Sequence, residues 1–430
     1  MSILEDARAV VENGPVCDAC LGRQFADRSF GLTNEERGRA LRVSVELDDD
    51  DPHDPVETEA CWVCEGLCAT FDEWAERAAS GVDDVEFATY QVGTRAPPLV
   101  EENEALLRES AGLGEEGGEP FKAEFNREVG KRVGRLTDTE VDFERPDVLF
   151  VLDVAEESVD VQVNPAFVYG RYRKLSREIP QTEWPCRECN GTGRRAGEPC
   201  IHCDGTGYMY AESVEQLVSP TILEAMDGDD SSFHGAGRED IDAKMLGTGR
   251  PFVVEVKHPR ERFPDVDALE AEINEHADGK VEVEGLRLAT YDMVERVKEL
   301  DASKTYRARV QFDEPVDEAA FEAALAELDG ATIEQNTPER VSHRRAAKTR
   351  IREAYAVSGE LEDETHATVE IHGEGGLYIK ELVSSDEGRT EPSLAGLMGT
   401  ACHVTELDVL AVEGEDEPFE DPDFFVESDG

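Results

Sequence analysis

The sequence predicts an α+β fold in two or three domains, with two zinc-binding units. Three observations carry this. Residues 304–312, KTYRARVQF, alternate: Tyr306, Ala308, Val310 and Phe312 fall on one face, Arg307 and Arg309 on the other. That is the period of a half-buried strand. In PFKAEFNREVGKRVGRL (120–136), Phe121, Phe125, Val129 and Val133 recur every four residues, the signature of an amphipathic helix. Finally, eight of the ten cysteines fall into CxxC pairs.

At 430 residues the chain exceeds one ordinary core, and 39% apolar content supports folded domains. It carries 43 basic and 99 acidic residues, a formal charge of −56, and only 10 of the basic residues are lysine. The acid is dispersed: ELDDDDPHDP at 46–55, GEEGGEP at 114–120, EGEDEPFEDPDFF at 413–425. A partner-binding acidic tail would form one block. Dispersed acid with little lysine fits a halophilic proteome, where salt near 1 M screens repulsion within about 3 Å. Net charge therefore does not exclude nucleic acid. The first twenty residues, MSILEDARAVVENGPVCDAC, lack a basic and an apolar secretory region, and the densest apolar run, VLFVLDVA (148–155), has strand length. A soluble, cytoplasmic protein without a membrane partner is expected, and there paired cysteines point to metal before disulfide.

Cys17 and Cys20 pair at a distance with Cys61 and Cys64. Two residues between thiolates let both reach one tetrahedral ion, and two such knuckles complete a structural zinc site. Cys68 is an additional candidate, and buried reduced thiols are the alternative. CRECNGTG (186–193) and CIHCDGTG (200–207) form a tighter set, with glycines that permit positive φ as the backbone wraps the metal. Cys186, Cys189, Cys200 and Cys203 thus make a second zinc site. Their CxxCxGxG pattern resembles the zinc ribbon of DnaJ-type co-chaperones, over these 22 residues alone.

Between the zinc units, VLFVLDV and SVDVQV, split by a short acidic turn, predict a β-hairpin. GRYRKLSR (170–177) follows, a basic island beside tyrosines that suits RNA backbone or an ordinary α+β domain. VEQLVSPTILEAM predicts helix on either side of a proline break, and LYIKELV (377–383) a strand or strand end. GRED (237–240) sits in the glycine-rich HGAGREDIDAKMLGTGRPFVVEV, where an aspartate is either a cap, a solvated loop acid or a catalyst.

Taken together, CDACLGRQF, CWVCEG, GRYRKLSREIPQTEW, GREDIDAKMLGTGRPFVVEVKHPRER, KTYRARV, RVSHRRA and GLYIKELVSSDEGRTEPSLAGLMG resemble the archaeal and eukaryotic tRNA pseudouridine synthases that act on T-loop uridines 54 and 55. The resemblance spans almost the whole chain. It implies an N-terminal zinc-binding module (1–70), a THUMP-like RNA-binding domain (71–178) and a mixed-sheet pseudouridine synthase catalytic domain (179–430). The ribbon at 186–207 is an addition to the family pattern.

The resemblance also implies roles. Asp240 is the expected catalytic aspartate, with Arg238 near the flipped nucleotide. Tyr306 packs on the target base, though a core tyrosine would show the same pattern. Lys380 pairs with the aspartate and keeps it charged and oriented; Ile379 and Leu407 line the pocket. The reaction is an isomerisation and calls for no cofactor beyond two structural zinc ions. The expected partner is tRNA at its T-loop and elbow, and no protein partner is implied.

RVSHRRAAKTRIR (340–352) holds five arginines, a lysine, a histidine and no acid. Alone it could be a solvated face. In the family it matches a loop that grips RNA, with Arg344 and Arg345 at its centre and Arg171 and Arg173 as a second basic site. Arginine's fork binds phosphate bidentately. Two other classes compete: a non-catalytic RNA-binding or RNA-chaperone protein, and a DnaJ-type co-chaperone. Pure binding needs none of GRED, KTY and YIK, and the second class rests on the ribbon alone.

Overall fold

The computed structural model describes residues 2–114, 117–300, 302–338, 348–413 and 420–426. These form two compact units. The first comprises Met1–Pro165 with His258–Arg262, the second Ala166–Lys257 with Phe263–Gly430.

The first unit has one core, running from Ala7 to Val154. The cysteine-bearing N-terminal segment and the domain after it therefore share packing. A four-stranded sheet runs in the order Glu140–Val141, Thr89–Arg95, Val148–Asp153, Ser158–Val163. The last two strands are the expected hairpin, antiparallel from Val148 opposite Val163 to Asp153 opposite Ser158. Against the sheet lies the expected helix, Phe121–Thr137, with Phe121, Phe125, Val129 and Val133 all buried.

The second unit is built on a ten-stranded sheet. Its first half pairs Val281–Ala289 with Ala166–Lys174, then Ala243–Lys257, which also pairs with Asp230–Gly235. Its second half pairs Cys402–Glu413 with Ser303–Phe312, His366–Gly373, Thr349–Leu361, Ala331–Asn336 and Thr390–Glu391 in succession. The halves meet where Leu407, Asp408 and Val409 lie parallel to Ala243, Lys244 and Met245. Among the described residues this is the one parallel pairing in the sheet. Two cores flank the seam and share it: Val409 and Val412 enter the first, Ala243 enters the second, and Tyr306 packs against both.

Three expectations need correction. LYIKELV is not a strand: Ile379–Ser384 is a helix. Ile379, Leu382 and Val383 are buried, a spacing of three and four that fits a helix face. Pro220 does not break its helix, which runs continuously over Val214–Ala225. The ring is exposed, while Val214, Leu217, Val218 and Ile222 bury the opposite face. Lastly, Ala166–Lys174, expected at the end of the middle domain, is a strand inside the large sheet.

The ribbon at 186–207 is self-contained. Its four cysteines form a cluster apart from the other cores. Pro185 and Tyr208 bridge antiparallel at its neck, and Cys186 N–H donates to the Gly207 carbonyl at 2.7 Å. Gly193 and Gly207 adopt positive φ, and a Cβ at either would lie 2.3 Å from a carbonyl oxygen of the facing knuckle. The two CxxCxGxG copies thus need their glycines to close on one another.

Because the neck residues already touch, replacing 186–207 by a short Gly-Ser linker should leave the second unit folded. Elemental analysis should find two zinc ions in the intact chain and one in the deletion. A deletion variant that cannot fold, judged by circular dichroism, would make the ribbon part of the core.

Candidate active site

The GRED turn lies just before the strand Ala243–Lys257, at the seam between the half-sheets. Its backbone is held from beneath. Glu239, buried, pairs with the equally buried Arg250 at 2.9 Å. The Tyr172 hydroxyl donates to Glu239 at 2.9 Å, and the Gln181 amide donates to that hydroxyl at 2.9 Å and to the Gly237 carbonyl at 3.0 Å. Arg250 also donates to the Ala236 carbonyl at 2.6 Å. Lys174, fully buried, donates to the carbonyls of Ile241 at 2.8 Å, Ile179 at 3.1 Å and Asp240 at 3.3 Å. Burial lowers the Lys174 ammonium to about 8, against the pull of the Glu239 and Asp242 charges. The turn is a rigid shelf.

Above the shelf the Asp240 carboxylate is part-exposed. Lys380, from the helix Ile379–Ser384, reaches Asp242 at 2.7 Å and Asp240 at 3.4 Å. The pairing expected between Lys380 and Asp240 is therefore shared, with Asp242 the nearer partner. Tyr306 completes the group. Burial pushes its phenol up to about 12, with Arg250 and Asp240 both in electrostatic reach. Ile379 and Leu407 are buried in the adjoining core. The structure thus brings Asp240, Tyr306, Lys380, Ile379 and Leu407 into one region. Arg238 is exposed on the same turn, its guanidinium 5.5 Å from the centre of the Trp184 ring.

The basic residues divide. Arg171 donates to the carbonyls of Thr248, Gly249 and Val412, and Arg173 is paired with Glu282 and Glu284, both at 3.0 Å. These bonds tie both side chains to neighbouring segments of the large sheet. Arg177 shows the same use: it ties the Leu407 carbonyl at 2.7 Å and Asp408 at 2.6 Å across the seam, and reaches the Asp242 carbonyl at 3.1 Å.

Arg344 and Arg345 lie outside the described residues, but the neck of their segment is defined. Thr337 N–H donates to the Lys348 carbonyl at 3.0 Å. The buried Gln335 side chain exchanges two 2.9 Å hydrogen bonds with the backbone of Tyr378, the residue that starts the Lys380 helix. Arg350 stands 5.7 Å from the Tyr378 ring centre. The neck of the basic segment is tied to the element that carries Lys380.

Sequence reasoning missed Lys174, Glu239, Arg250, Tyr172 and Gln181. Glu239 lay inside the quoted GRED, and its partner in the same glycine-rich stretch was Arg250. What no pattern showed was their burial.

Both cysteine sets can hold a metal ion. In each, four sulfurs lie within 4.8 Å of one another. Sγ–Sγ distances of 3.8 and 3.9 Å in the ribbon, and 3.9 Å between Cys17 and Cys64, match the edge of about 3.8 Å that a tetrahedron of 2.3 Å metal–sulfur bonds requires. The first set differs from the expected one: Cys68 joins Cys17, Cys20 and Cys64, while Cys61 is buried outside that group of four. The cause is local. Gly66 at φ +83° turns the chain into the short Leu67–Ala69 helix, which carries Cys68 back to the cluster. The fully buried Arg23 donates to Cys20 Sγ at 3.2 Å and pairs with Glu104 at 2.8 Å, so a cation faces the thiolate cluster.

Comparison with known proteins agrees with this geometry. The family described as Pus10, C-terminal, matches residues 167–413, and that described as Pus10 THUMP domain, archaeal, matches 74–153. The "tRNA pseudouridine synthase Pus10" of Halorubrum lacusprofundi, a halophilic archaeon, is 67% identical over 99% of this chain and 100% of its own. That of Methanothrix thermoacetophila is 43% identical over 96% and 95%, and that of Pyrococcus furiosus 39% over 95% and 98%. Among solved structures, "Crystal Structure of a Cbf5-Nop10-Gar1 Complex" covers 47% of each chain at 19% identity with a TM-score of 0.30, too slight a likeness to argue from. No helix among the described residues is long and apolar enough to cross a membrane. From the lengths matched and the identities, the chain belongs to the Pus10 family of tRNA pseudouridine synthases, which are isomerases.

Proposed function

We propose that the chain isomerises uridine at T-loop position 55 of tRNA, and at its neighbour 54, with Asp240 as the catalytic carboxylate. The observation that carries this is the placing of one part-exposed carboxylate, Asp240, on a turn fixed by buried charge, with Lys380 and Tyr306 in reach. Lys380 stands against the combined negative charge of Asp240 and Asp242 and orients both carboxylates. Tyr306 offers a ring face to the target base, and Arg238 attends the nucleotide turned out of its stack.

The ionised Asp240 either attacks the nucleoside covalently or takes a proton from its sugar. In both routes the bond from C1′ to N1 breaks and a bond from C1′ to C5 forms. The proton leaves C5, and N1 gains one. Atoms balance without oxidant, reductant or cofactor. The rigid shelf under the turn limits movement of the carboxylate while the freed uracil rotates.

Zinc is the metal we assign to both thiolate clusters, since four sulfurs at tetrahedral spacing suit it. It holds structure and takes no part in the isomerisation. For binding we assign the substrate RNA to the side of the Lys380 helix where the basic segment 340–352 is anchored.

Asp240→Asn should abolish pseudouridine formation, leaving tRNA affinity within about two-fold, because size is kept and only charge is lost. Asp242→Asn should retain turnover, although it loosens Lys380. Mapping pseudouridine in tRNA after single-turnover incubation checks both; activity in the first and none in the second would move the catalyst to Asp242.

Arg344→Ala with Arg345→Ala should weaken tRNA binding and flatten its salt dependence by roughly one unit of log–log slope per lost phosphate contact. Dissociation constants over a salt series measure this. An unchanged slope would make the basic segment a solvated face.

A further inference from the structure

The inserted ribbon meets the rest of the unit at a stem that faces the catalytic turn. Its neck is the bridge between Pro185 and Tyr208, extended by the Met209 N–H, which donates to the Trp184 carbonyl at 2.9 Å. On either side of the neck, Trp184 and Tyr210 meet edge to face, ring centres 5.4 Å apart at 81°. Arg238 of the catalytic turn places its guanidinium 5.5 Å from the centre of that same tryptophan. Glu215, in the helix that follows the ribbon, accepts from the Glu183 N–H at 3.0 Å and lies in electrostatic reach of Arg238. An exposed arginine in an acidic protein has many carboxylates to visit. Here an aromatic face and a half-buried carboxylate, both fixed to the ribbon's stem, give it one seat.

We infer that the ribbon is a positioning device for the catalytic turn: its metal-closed loop keeps the stem paired, and Trp184 on that stem seats Arg238 for the target nucleotide. The inference rests on the reading of the 237–240 turn above. Trp184 and Tyr210 are positioning residues, since they act through Arg238. A guanidinium over an indole is held by the ring's quadrupole, strongest for tryptophan, and by stacking that lysine would not reproduce. The contact restricts Arg238 to a narrow arc two residues from Asp240. The closed sulfur cluster contributes from a distance. With it, the neck between Pro185 and Tyr208 is short and paired; without it, twenty-two residues of loop would pull the two stem aromatics apart.

A double-mutant cycle tests this. Trp184→Leu should slow single-turnover pseudouridine formation about ten-fold, with the tRNA dissociation constant and zinc content unchanged. Trp184→Phe should recover to within about three-fold of the parent, since a ring face remains. In an Arg238→Ala background, Trp184→Leu should add less than about two-fold, because the residue it seats is gone. An equal slowing in both backgrounds, or none in either, overturns the inference. So does an Arg238→Ala rate equal to the parent's, a result that leaves Asp240 untouched; failure of the aspartate reading shows only in Asp240→Asn.

A second readout needs no turnover. The chain has three tryptophans, so 5-fluorotryptophan labelling gives three fluorine resonances, and Trp184→Phe identifies one of them. That resonance should shift in Arg238→Ala and in Cys200→Ser with Cys203→Ser, while the other two stay fixed. A Trp184 resonance indifferent to both changes overturns the coupling, however the rates behave.

Discussion

The second unit depends on one ion pair. The Arg250 and Glu239 side chains meet out of water at the 237–240 turn, where an unpaired charge would cost several kcal/mol. Each is tolerable only because the other is there, with Tyr172 supplying a further hydrogen bond to Glu239. The pair contributes little net stability over an apolar replacement, but it specifies geometry. Arg250 belongs to the central strand and Glu239 to the turn, so their contact ties the turn to the sheet at one register. Lys174 repeats the device with carbonyls, reaching the backbone of Asp240 and Ile241. Buried Arg250, Glu239, Tyr172 and Lys174 thereby define where the part-exposed Asp240 carboxylate stands.

The legible parts of this protein were those with a period or a spacing. KTYRARVQF alternated because one face of Ser303–Phe312 is buried, and PFKAEF repeated at four because one face of its helix is. The ribbon could be read to the residue, since tetrahedral sulfur geometry leaves few chain paths between cysteines two apart. LYIKELV was misread because six helical residues give too little length to separate period two from period 3.6, and Tyr378 supplies no side-chain cap as a start signal. The fate of basic residues was least legible of all. Arg171, Arg173 and Lys174 read as a basic island suited to RNA backbone or to an ordinary α+β domain, and the carbonyls and carboxylates they hold come from segments distant in sequence, which no local pattern announces. Asp242 was not legible for a similar reason: its closeness to Lys380 arises from a helix 138 residues further on.

The first cysteine set teaches a related lesson. Spacing selected Cys61, and folding brings Cys68 among the other sulfurs through a single glycine turn. A pattern of two-residue gaps identifies a cluster better than it identifies each member. Arg23, buried against Cys20 and two glutamates, adds charge compensation that ligand spacing does not announce.

The seam between the half-sheets has a consequence for how the chain reaches its native state. Antiparallel neighbours such as Ser303–Phe312 and His366–Gly373 close loops of moderate length. Joining Leu407 to Ala243 closes a loop of more than 160 residues, with the entropy cost that such separation brings. It is also the step that sets Tyr306 against both cores. Because Cys402–Glu413 both forms the seam with Ala243–Met245 and pairs with the strand that carries Tyr306, the side chains gathered around Asp240 share one neighbourhood only where that strand is docked.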